Sequence, residues 1–302
     1  MRPHVYETPQ AFKVALEQRL RNVSRSGADF SRRRQLLVFD RFLARVSESF
    51  GDAVMLKGGL ALELRIECAR TTRDVDLRML GPSDTAVERL REAARLELGD
   101  FLHFEVAADA HHPEIQNEGM KYEGLRFRAE CKLAGKPFGT PFGVDVVFGD
   151  PVFGEPTLVR GEDVLGFSGV PPSTLRLCPI ETHIAEKLHA YTMPRKRPNS
   201  RVKDLPDLAL LATAQPIAAD RLKAAFVQTF EFRGTHPVPG VLPAPPENWR
   251  PHYRDMAQEN LLRWETLEAV TSAARAFLDP ALAGNLRATR HPERWEWCEI
   301  RG

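Results

Sequence analysis

Residues 57–80 read KGGLALELRIECARTTRDVDLRML, and the order of their parts decides the fold. AVMLKGG (53–59) is a short apolar run that closes on a glycine pair, so it reads as a buried strand ending in a turn. LALELRIE (60–67) reads as a helix, and RDVDLRML (73–80) alternates as a strand does. Side chains of a strand alternate between faces, so Thr72, Asp74 and Asp76 share one face while Val75 and Leu77 point into the core. Two carboxylates so placed either form the solvated face of an edge strand or chelate a hard divalent cation. Mg²⁺ accepts a few carboxylates together with phosphate oxygens. Gly58-Gly59 is a simple turn on the bland reading. On the functional one it lets backbone N–H groups approach phosphate at a helix N-terminus.

Upstream, TPQAFKVALEQRLRNV (8–23) has Thr8 as N-cap and apolar residues at helical spacing. A second helix, DFSRRRQLLVFDRFLARVSESF (29–50), carries Leu36, Leu37, Phe39, Phe42, Leu43 and Val46 on one face. Downstream, SDTAVERLREAARLEL (83–98) is a capped amphipathic helix. FLHFEVAA (101–108), LRFRAECKLAG (125–135) and PFGVDVVFG (141–149) then read as antiparallel strands, since the links between the last two are too short for crossover helices. Asp145 lies inside the last of these. An aspartate mid-strand among apolar residues is costly unless it pairs with an arginine in the core or binds a metal. If its strand lies beside RDVDLRML, three acids converge, as in two-metal phosphoryl-transfer sites.

Near residue 150 the texture changes. GDPVFGEPTLVRGEDVLGFSGVPPSTLRLCP (149–179) reads as irregular connection, and the rest of the chain is mainly helical, interrupted by a Pro-rich loop at 235–251. The expected fold is α+β: a mixed or antiparallel sheet flanked by helices over 1–150, then a helical lobe over 151–302.

The chain has 302 residues, of which 43% are apolar, enough for a real core and too many for wholesale disorder. A net charge of +1 gives no global field toward nucleic acid, although local patches can supply one. Cys68, Cys131, Cys178 and Cys298 stand far apart, which argues against a zinc site or disulfide framework and fits a reducing cytoplasm. No signal-peptide core and no bilayer-spanning run is present, so no membrane is expected. His183 and His189 are six apart, the wrong spacing for a helical zinc pair, and read as ordinary. Arg32, Arg33 and Arg34, and the loop with Arg195, Lys196, Arg197, Arg201 and Lys203, are solvated surface or a phosphate-contacting rim for RNA. The second adjoins the expected cleft. RWEWCEI (294–300) reads as packing rather than base stacking, and no uncommitted apolar stripe argues against a monomer.

The order LKGGLALELR, RTTRDVDL, IAEKLHA and RVKDLPDLALL, from about Leu56 to Leu211, resembles the AbiEii-type nucleotidyltransferase toxins of type IV toxin–antitoxin systems, within the DNA polymerase β-like superfamily. The R-x-T-x-D-x-D run (Arg70, Thr72, Asp74, Asp76) and the downstream segments carry the likeness. Related toxins often have Gly-Ser where this chain has Gly-Gly. The resemblance implies Mg²⁺ on Asp74 and Asp76, with Asp145 as a third carboxylate that helps deprotonate the acceptor. It implies a nucleoside triphosphate bound by Lys57, Gly58, Gly59, Thr72, Lys187 and Arg201, with Asp204 and Asp207 in the same catalytic cleft. Without it, Lys187 is a helix-surface lysine beside Glu186, and Asp204 and Asp207 are an N-cap and first-turn acid. It further implies nucleotide transfer to an RNA 3′ end, the tRNA acceptor end in several relatives, and restraint by a cognate antitoxin. Transfer to a small molecule or protein hydroxyl, or an idle RNA- or partner-binding module, are the rival readings.

Overall fold

The computed structural model describes residues 4–66, 71–115, 124–149, 151–196, 199–284 and 286–299. Cys68, Arg70 and Arg197 lie outside the described residues.

Two helices open the chain. α1 (Pro9–Val23) is capped by Thr8, whose hydroxyl accepts the Ala11 N–H at 3.3 Å, as the sequence suggests. α2 (Gly27–Phe50) buries Leu37, Phe39, Phe42, Leu43 and Val46, while Leu36 is half-buried. Then come β1 (Val54–Lys57), α3 (Gly58–Arg65), β2 (Val75–Met79), α4 (Ser83–Ala94), β3 (Leu102–Ala108), β4 (Gly124–Leu133), the two-residue β5 (Lys136–Pro137) and β6 (Phe142–Phe148). The N-cap of α4 is Pro82, which offers no side-chain hydrogen bond. β2 begins at Val75, so Thr72 and Asp74 precede the strand rather than lie in it.

The strands form one mixed sheet in the order β3-β4-β6-β2-β1-β8-β7, with β5 on β4. β3, β4 and β6 are antiparallel neighbours, as read from sequence. β6 runs parallel to β2. The stretch read as irregular connection instead supplies β7 (Thr157–Arg160) and β8 (Thr174–Leu177), a hairpin that extends the sheet beside β1. Each of these strands is only four residues long and embedded among Gly and Pro, so no periodicity marks it. Tertiary pairing forms them: Leu175 and Leu177 are buried, and the Cys178 N–H donates to the Leu56 carbonyl at 2.8 Å.

α2 packs on one sheet face, where Phe142 takes Phe39 and Phe42 edge-on at 5.0 and 5.4 Å between ring centroids. Such buried side chains contribute roughly 1.5–3 kcal/mol each. After β8 the chain turns at once into α5 (Ile180–Thr192), then α6 (Asp204–Leu211), β9 (Ile217–Ala218), α7 (Ala219–Arg233), α8 (Arg250–Glu259), α9 (Leu267–Leu282), β10 (Ala288–His291) and β11 (Glu296–Glu299). The two apolar clusters of the molecule part between Leu177 and Ile180, and Leu62 of α3 joins the second. β9, β10 and β11 form a small second sheet. Its tryptophans pack: Trp297 stacks on Phe277 and donates to its carbonyl. Among the described residues no helix is long and apolar enough to cross a membrane.

Candidate active site

Strand register builds the site. β2 alternates, sending Val75, Leu77 and Met79 into the core and Asp76 to the other face. On β1, Lys57 stands across from Asp76; on β6, Asp145 stands across from it; on β4, Arg126 stands across from Asp145. Directly opposed residues on neighbouring strands bring their side chains within contact range. Four adjacent strands therefore present, at one level, a row of charges: Arg126, Asp145, Asp76, Lys57.

The two carboxylates are treated differently. Arg126 donates to both oxygens of Asp145, at 2.7 Å from Nε and 2.7 Å from Nη2, and this pairing holds the guanidinium still more firmly protonated. Asp76 receives no hydrogen bond among the described residues. Burial and the neighbouring Asp145 and Asp74 charges push its carboxyl up to about 6, against the pull of Lys57 and Lys187. Gly58 makes room for it. Its φ is +65°, and a Cβ there would lie 1.9 Å from the Asp76 Oδ2. Asp74 is exposed at the start of the strand, where its Oδ1 accepts the Gly143 N–H at 3.3 Å. A Cβ on Gly143 would lie 2.7 Å from that oxygen. Thr72 is buried behind the turn; its hydroxyl lies 3.5 Å from the Asp74 N–H and its carbonyl accepts from Arg32. Thr72 thus shapes the Asp74 turn and does not line the cleft.

α5 and α6 close the opposite wall, because β8 delivers α5 beside β1. Lys57 donates to Glu186 at 2.7 Å, and Arg233 lies 3.7 Å from the same oxygen. Lys187, one residue on, is buried and held by Asp207 at 2.7 Å and Asp204 at 3.3 Å. Asp204 reaches the cleft, whereas Asp207 is fully buried behind Lys187 and positions it. His183, one helical turn before Lys187, also lines the cleft. It is 1% exposed, neither ring nitrogen has a partner among the described residues, and burial, reinforced by Lys187, drives its pKa well below the usual histidine range. Arg195, Arg201 and Lys203 form the basic rim. The other cluster is structural: Arg32 pairs with Glu63 and Arg33 with Asp29.

The cleft encloses about 540 Å³, within the range of small-molecule sites. A second cavity of about 700 Å³ lies between α1, α2 and the β7–β8 hairpin, but its arginines Arg32 and Arg33 are already paired. Asp74 and Asp76 are hard oxygen donors with uncompensated charge, a set that fits a hard divalent ion. Asp145 is bonded to Arg126, and among the described residues no group of three or more Asp, Glu, His or Cys side chains is placed to hold a metal. Glu186, Arg233 and His183 line the cleft although sequence reading gave them no role there, and Arg126, which it did not single out, joins the row of charges through Asp145. Alternation in LRFRAECK puts Arg126 off the core face, but nothing in the sequence reveals its register with Asp145.

Asp76 on β2 and Asp74 just before it stand behind a glycine turn and are faced by Lys57 of β1 and Lys187 of α5, the frame of a nucleotidyltransferase-type cleft. The family profile of the AbiEii nucleotidyl transferase toxin, type IV toxin–antitoxin system, matches residues 41–279, and the chain belongs to that family. It is a nucleotidyltransferase. Membership implies a nucleoside triphosphate co-substrate and a cognate antitoxin. Among solved structures, the nucleotidyltransferase toxin MenT4 of Mycobacterium tuberculosis shares the fold, with TM-score 0.61 and 19% identity over 93% of this chain and 92% of that one. JHP933 of Helicobacter pylori is more distant, with TM-score 0.43 and 14% identity over 82% and 91% of the two chains. No curated protein matches the chain by sequence.

Proposed function

We propose that this nucleotidyltransferase moves a nucleoside monophosphate from a nucleoside triphosphate to the 3′ hydroxyl of an RNA, the acceptor end of tRNA, and so blocks translation in the cytoplasm. The observation that carries the reading is the opposition across the cleft. Asp76, crowded and uncompensated, faces Lys187 and Lys57, while Arg195, Arg201 and Lys203 line the rim. Asp74 and Asp76 would hold Mg²⁺, which when bound would neutralise the triphosphate and polarise its α-phosphoryl group. Gly58 and Gly59 open α3 toward the phosphates. Lys187, fixed by Asp204 and Asp207, offsets charge building on the leaving pyrophosphate. The basic rim suits a polyanionic acceptor, since cations that track phosphates supply sequence-independent affinity. The helical lobe thereby completes a nucleotide site begun on the sheet, in a chain that acts as a monomer.

The test is transfer of a triphosphate radiolabelled at its α-phosphate into total RNA, with Mg²⁺ present or chelated. Label in tRNA-sized RNA, lost on chelation, is expected. Label that survives RNase would place the acceptor hydroxyl on a protein or small molecule instead.

A further inference from the structure

Asp145 is the third acid of the site, and in the fold its partner is an arginine. Both of its oxygens take a guanidinium N–H, and the pairing is fixed by strand register rather than by a chance rotamer. Asp74 leans the other way, onto the Gly143 backbone N–H at the start of β6. The three acids lie on or just before two neighbouring central strands, and among the described residues Arg126 is bonded to Asp145 while no cation is bonded to the oxygens of Asp74 or Asp76.

We propose that Arg126 stands in for a second metal ion: held on Asp145, its guanidinium is the permanent cation at the third carboxylate, and the cleft loads one divalent ion, at Asp74 and Asp76. The proposal rests on the nucleotidyltransferase reading of this cleft. Arg126 is a positioning residue in this scheme, because it acts on the reacting groups through Asp145 and its charge.

Physical chemistry favours the substitution. A guanidinium is planar, matches a carboxylate with two parallel N–H bonds and stays charged at every working pH. A carboxylate so engaged offers a divalent ion little: the ion would have to displace the arginine or sit against its charge. Arg126 has five N–H donors, of which two serve Asp145. The side chain is 39% exposed, so the guanidinium stays in contact with solvent rather than sinking into the core.

Manganese(II) binding to the chain saturated with a non-hydrolysable triphosphate analogue tests this, after correction for ion held by free nucleotide. Wild type is expected to bind one Mn²⁺ per chain with the spectrum of an isolated spin. Arg126→Ala is expected to bind two, with the spin-coupled spectrum of ions about 3.5–4 Å apart. Arg126→Lys, which keeps a cation, and Asp145→Asn, which removes the third carboxylate, are each expected to stay at one. Two ions in wild type, one ion in Arg126→Ala, or loss of the single ion in Asp145→Asn would each overturn the proposal. Failure of wild type to bind the analogue is read in the same titration and would instead overturn the underlying assignment of the cleft.

Discussion

Asp100 and Asp76 are the same residue type on the same sheet domain, and their surroundings have opposite effects. Asp100 is fully buried, yet Arg41 and Arg45 donate to it at 2.7, 2.9 and 2.7 Å and the Leu102 N–H adds a fourth bond. Despite the burial that opposes it, this clamp brings the Asp100 carboxyl below the usual carboxylate range. Asp76 has like charges for neighbours and is pushed up to about 6. The first arrangement ties α2 to the start of β3 and is finished as folded. The second leaves negative charge that a cation and a triphosphate would relieve. A buried acid is thus structural or functional according to who donates to it, and burial alone does not distinguish the two.

The comparison can be broken by mutation. Asp100→Asn should cost about 3–5 kcal/mol, because two buried guanidiniums lose their counter-charge. Denaturant unfolding measures it, and a loss under 1 kcal/mol would refute the structural role. Asp76→Asn should do the reverse and stabilise the metal-free chain at pH 7 by about 2–3 kcal/mol. Gly58→Ala should destabilise by about 1–3 kcal/mol, since alanine is strained at φ +65° and its methyl group meets Asp76. Nucleotide affinity should fall with it. Gly143→Ala should cost under about 1 kcal/mol in stability, because only the end of the Asp74 side chain must shift, while metal binding weakens.

The pH dependence sharpens the same contrast. Because the folded-state pKa of Asp76 is raised, the native chain binds more protons than the unfolded one between the ordinary value of 3.8 and about 6. Its destabilising contribution is therefore full above pH 6 and disappears as pH falls toward 4. Thermal unfolding should show the advantage of Asp76→Asn shrinking over that window. The Asp100 clamp has the opposite sign: its stabilisation is present above the unfolded value and is lost as pH falls through the depressed folded value.

Much of this was legible in the sequence. Alternation around Asp76 and Asp145 located two of the four charged residues in the row, and the family resemblance named the third, Lys57. Arg126 was not legible, because cross-strand register is a tertiary property. The hairpin of β7 and β8 escaped for the same reason: four-residue strands among Gly and Pro are formed by their partners. Asp204 and Asp207 were found by motif, but as cleft acids. Their grip on Lys187 emerges only when α5 and α6 are packed together.

The account turns on Asp76 being a chemical rather than a structural acid. The direct measurement is transfer of a triphosphate labelled at its α-phosphate to RNA by wild type and by Asp76→Asn, each verified as folded by its thermal transition. The account predicts labelled RNA with wild type and at least about a thousandfold less with the variant, despite the variant's higher melting temperature; equal labelling by the two would contradict it.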